Sequence, residues 1–148
     1  MLAKAGRAFI VMVWLFTPSA HAQNHSFDKL ERAANNLGHE LVICSAYFYI
    51  AAIGMLNMND EKGREMASHQ KQKGDALLRV AGDIGQIIHQ KPEAIDARLK
   101  MAIADMRKEM DNHFVNFSIL LEKYARPCVD LHAGVNGRLT ALVENSRQ

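Results

Sequence analysis

From Leu41 to Leu56 almost every residue is apolar or aromatic, and that run limits what the chain can fold into. Leu41, Cys44, Phe48, Ala51 and Met55 recur at steps of three and four, which is one face of an α-helix. Ile43, Tyr47, Tyr49, Ile50 and Ile53 fall off that face. A surface helix needs one apolar stripe only. A helix apolar on most sides is enclosed by other helices or covers a partner. The run is 16 residues long, bounded by Glu40 and Asn57, whereas a membrane span needs about 20.

The rest of the chain supplies three enclosing helices. The first helix is expected to start near Ser26, with Leu30 and Leu37 extending its seam. Asn57 to Asp60 reads as a turn, and Asp60 caps a second helix whose seam is Met66, Leu77, Val80, Ile84 and Ile87 or Ile88. Gly74, Gly82 and Gly85 weaken that helix, or let a neighbour come close. Pro92 suits the first position of a third helix, with the seam Leu99, Ile103, Met106, Met110, His113, Phe117, Leu120 and Tyr124. Arg126-Pro127 is expected to interrupt it, and a shorter fourth helix follows from about Cys128. No stretch alternates as an exposed strand does. The expected fold is all-α: an irregular up-down bundle of about four helices in one domain, residues 23–148.

Residues 1–22 have the layout of a secretory signal. Lys4 and Arg7 precede the apolar run Phe9 to Phe16, and Ala20-His21-Ala22 offers small residues for cleavage before Gln23. The expected location is therefore outside the cytoplasm, in a periplasm or released from the cell, with no integral membrane segment left after cleavage. The whole chain has 18 basic and 16 acidic residues; without Lys4 and Arg7 the mature part has 16 of each. A nucleic-acid partner is not expected, because such a binder shows a basic surplus or patch.

Export also bears on Cys44 and Cys128, the chain's two cysteines. In an oxidising compartment an even pair reads as one structural disulfide, the alternative being two buried thiols. A loop of this length contributes about 4–5 kcal/mol on the chain-entropy view. Geometry raises a difficulty. If the third helix ran straight to Tyr124, Cys128 and mid-helix Cys44 would differ in height by about 20 Å, but bonded cysteines keep their Cα atoms within about 7 Å. The third helix is therefore expected to break early, at Asp111-Asn112, or the bundle to be irregular.

Cys44-Ser45-Ala46-Tyr47-Phe48-Tyr49, midway along the first helix, and Arg126-Pro127-Cys128 near the end are informative stretches. In these and in general layout the chain resembles small exported helical proteins of proteobacteria with no assigned activity. The resemblance implies no chemistry.

The residues themselves carry little chemistry either. There is no Gly-x-Ser-x-Gly, no His-Glu-x-x-His and no Cys-x-x-Cys-His. Glu109, Met110 and His113 have spacings that a helical copper or zinc site would use, but Met110 lies on a seam where methionine is ordinary core filling. A haem site would need His or Met facing each other across the core. No cofactor is expected. The leading expectation is a non-enzymatic exported bundle acting by contact with another protein or with itself, through Tyr47, Tyr49, Ile50 and Ile53. The competing reading makes all four core. A small periplasmic ligand or metal carrier (copper, zinc or haem) is the alternative function.

Overall fold

The computed structural model describes residues 20–145. The expected leader, residues 1–22, lies outside the described residues except for the helical backbone of its last three. Five α-helices follow one another: α1 (Ala20–Leu56), α2 (Glu61–Ile87), α3 (Pro92–Glu109), α4 (Phe117–Leu120) and α5 (Arg126–Asn145). A 3-10 turn at Phe114–Asn116 precedes α4, and a π turn at Leu121–Ala125 joins it to α5. From Phe117 onward the backbone is thus one helical run, so the architecture is the expected all-α bundle of four long pieces.

Local chemistry explains most of the boundaries. Asp60 caps α2, its carboxylate accepting from the Gly63 N–H at 2.6 Å. Pro92 sits in the first turn of α3, where its missing N–H is not needed. At the other end of α3 the chain reverses: Asp111 (φ 51°) and Asn112 (φ 61°) both occupy the left-handed region. Asp and Asn tolerate that conformation better than other non-glycine residues.

The reversal resolves the height problem. Cys128 belongs to a descending run, about 16 Å below Phe117 at 1.5 Å per residue, and Cys44 lies about 18 Å below Leu56. The two cysteines are bonded, with Cα atoms 5.1 Å apart and 84 residues between them in sequence.

Two boundaries differ from expectation. Helical backbone is already present at Ala20, so Ser26 lies inside α1 and is no cap. Arg126-Pro127 does not interrupt the last helix. A proline in a helix removes one N–H and crowds the carbonyl four residues back, here that of Lys123. A π turn, Leu121–Ala125, stands directly before α5 and covers the Lys123 carbonyl that Pro127 would crowd.

α1 is the centre of the bundle. Leu41, Phe48 and Ile50 are fully buried, against Leu77 and Ile84 of α2, Met106 and Met110 at the end of α3, and Leu120. By length and composition Phe27–Leu56 could cross a membrane, but over half of its apolar window is buried inside the bundle, as in the core helix of a globular domain.

Close approach of α1 and α2 depends on Gly74. A methyl group there would stand 3.1 Å from Tyr49 Cε1 and 3.2 Å from the Ser45 carbonyl oxygen. A methyl on Gly85 would stand 2.7 Å from Ile95 Cδ1 of α3, whereas one on Gly82 would meet nothing within 4 Å, so the expected close approach holds at Gly74 and Gly85 and not at Gly82. On the far side, α5 is tied to α1 by the disulfide and by a two-pronged pair between Arg138 and Glu40.

Candidate functional site

The four residues expected to form a contact face do not share one. Tyr47 and Ile50 are in the core, 5% and 1% exposed. Tyr47 stacks on Phe117 with ring centroids 6.3 Å apart and lies as far from Tyr124, so it anchors the last helical run on α1. Burial pushes its hydroxyl pKa up. The two residues lie off the narrow α1 seam because α1 is packed on several sides at once.

Tyr49 is partly buried and committed to α2: its hydroxyl donates to Asp75 Oδ1 at 2.7 Å, while Lys71 holds Oδ2 at 2.8 Å. Burial, then the hydrogen bond and charge of Asp75, push Tyr49 up to about 12. The Lys71 and Tyr49 hydrogen bonds hold Asp75 below the usual carboxylate value. Of the four, Ile53 alone faces outward, 48% exposed.

Glu109, Met110 and His113 are not brought together either. Their spacing requires a continuous helix, and α3 stops at Glu109. Met110 is buried in the core. Glu109 Oε1 accepts from Lys123 Nζ at 2.8 Å and from the Tyr124 hydroxyl at 3.0 Å. The Glu109 hydrogen bond pushes Lys123 up, and the Lys123 ammonium lies 4.9 Å from the Tyr124 ring centroid. His113 is exposed, and its backbone N–H donates to the Met110 carbonyl. Among the described residues no group of three or more His, Cys, Asp or Glu is placed to hold a metal ion. His132 packs edge-on against Phe48.

Two surface features were not foreseen. The first is an apolar end. Ile53 and Leu56 finish α1, Met58 lies in the following turn, and each is about half exposed. The α3–α4 connector reaches the same end, for the Phe114 ring lies 3.5 Å from where a methyl on Gly54 would be. Beside it Val115 is 87% exposed. Only the reversal at Asp111-Asn112 brings these segments together, so spacing within one helix gave no signal for it.

The second feature is a pair of clefts flanking Ile43 and Tyr124. One, of about 270 Å³, lies between α1 and α3. The other, of about 470 Å³ and more open, lies over the disulfide between α1 and α5. Comparison of the chain with protein-family models, curated proteins and solved structures finds no match.

Proposed function

We propose that the chain is an exported, non-enzymatic bundle of a bacterial envelope, held in the periplasm, that works by contact with another protein through its apolar end. Export is supported by the leader-like residues 1–22 and by a disulfide suited to an oxidising compartment. The observation that carries the contact reading is the convergence of Ile53, Leu56, Met58 and Val115 at one end of the molecule. Isolated exposed apolar side chains are ordinary, but a group of them drawn from two segments marks an interaction surface.

A photocrosslinking residue at Val115, in the full chain expressed in its native envelope, tests this. The expected result is a discrete crosslinked partner, lost when Ile53→Asp is added, and no such product from the same probe at Asn136 on α5. Equal labelling from Val115 and Asn136, or crosslinks that survive Ile53→Asp, would overturn the reading.

A further inference from the structure

The cleft between α1 and α3, about 270 Å³, is close to the smallest size usual for a small-molecule site. Its floor is apolar, with Val42 and Ile43 of α1 opposite Ala102 and Met106 of α3. Its charged groups are ordered along α3. Arg98, Asp105 and Glu109 are separated by seven and then four residues, which puts them in line on one helix face.

The three differ in what they have left to offer. Glu109 is matched by Lys123 and Tyr124, both bonded to the same carboxylate oxygen. Arg98 gives one N–H to Gln90 Oε1 at 3.3 Å, which orients the guanidinium and leaves its remaining donors for a ligand. Among the described residues Asp105 has no hydrogen bond or ion pair. A cation and an anion without charged partners therefore stand along one wall of an apolar trough, with the matched Glu109 one turn beyond Asp105. Seven residues of helix put their Cα atoms about 10 Å apart, and the bond to Gln90 draws the guanidinium toward the start of α3.

A molecule that meets both charges carries a carboxylate and an ammonium about that far apart or farther. Three residues of extended peptide span about 10 Å from end to end. We propose that this cleft binds a short peptide of about three small apolar residues, with its terminal carboxylate on Arg98 and its terminal ammonium on Asp105. Guanidinium and carboxylate pair bidentately, which fixes the direction of the chain. A single amino acid is too short to meet both charges. A simple organic cation would leave Arg98 unused. The proposal is independent of the contact reading, which concerns a different set of residues.

The test is titration of the disulfide-intact mature protein with trialanine, read by calorimetry and by amide shifts in NMR. The account expects saturable binding at about millimolar concentration, with shifts centred on Val42, Ala102 and Met106. Trialanine acetylated and amidated at its ends should bind at least about tenfold more weakly, as should the free peptide to Arg98→Gln or Asp105→Asn. Both substitutions replace groups at the cleft rim, and unchanged thermal unfolding would confirm that the fold persists. If a variant melts early, the capped peptide on the wild-type chain decides instead. Absence of saturable binding, equal binding of free and capped peptide, or undiminished binding to folded variants would overturn the proposal.

Discussion

The Ser45 hydroxyl on α1 donates to the Gly74 carbonyl oxygen on α2 at 2.8 Å, in a contact from which water is excluded. A small residue on each helix lets the two backbones approach, and the hydroxyl meets its hydrogen-bonding need across the gap. The α1–α2 contact thus depends on a glycine that α2's own helix propensity disfavours.

Gly74→Ala is therefore expected to destabilise the protein by about 1–2 kcal/mol, crowding Tyr49 by more than the alanine gains in helix propensity. Gly137→Ala on α5, where nothing lies within 4 Å, should raise stability by up to about 1 kcal/mol. Urea unfolding of the two variants should give midpoints on opposite sides of wild type.

The Asp111-Asn112 reversal makes a separate prediction. Asn112→Val places a β-branched side chain at φ 61° and should cost about 1–2 kcal/mol, whereas Asn112→Gly should be neutral or stabilising. Thermal unfolding of the pair would show it, and equal melting temperatures would count against the left-handed turn.

The Tyr49–Asp75 pair gives stability a pH dependence at both extremes. Tyr49's folded pKa, about 12, lies above the ordinary tyrosine value of 10.0, so its contribution is complete below pH 10 and lost as pH rises through 12. Asp75's folded pKa is lowered from 3.8, so its contribution is complete above that value and lost as pH falls through the folded pKa. Urea midpoints across pH should show both limbs, and Tyr49→Phe should flatten the alkaline one.

Arg138→Met should cost less than about 1 kcal/mol, and less still in high salt, because its pairing with Glu40 is about half exposed. A larger loss would mean that this pair, and not the disulfide, holds α5 on α1.

Much of the fold was legible in the residues because its signals are local. Asp60 and Pro92 act through their own side chains on the next turn of backbone. The Asp111-Asn112 break followed from requiring Cys128 to reach Cys44. What could not be read locally went wrong locally: Arg126-Pro127 looked like an interruption because the π turn that precedes it has no side-chain signature. Tyr47 and Ile50 looked available because a single seam describes a helix with one neighbour, and α1 has several. The apolar end was invisible for a third reason. Ile53 and Val115 lie 62 positions apart in sequence, and only the folded connector places them at the same end.

Alkylation of the unreduced protein, recovered from the cells that make it and followed by peptide mass mapping, tests the central claim most directly. The account predicts that neither cysteine reacts, that the Cys44 and Cys128 peptides are recovered joined, and that the chain begins at Gln23. Two freely alkylated thiols on a chain still carrying residues 1–22 would contradict both the compartment and the role given to the disulfide.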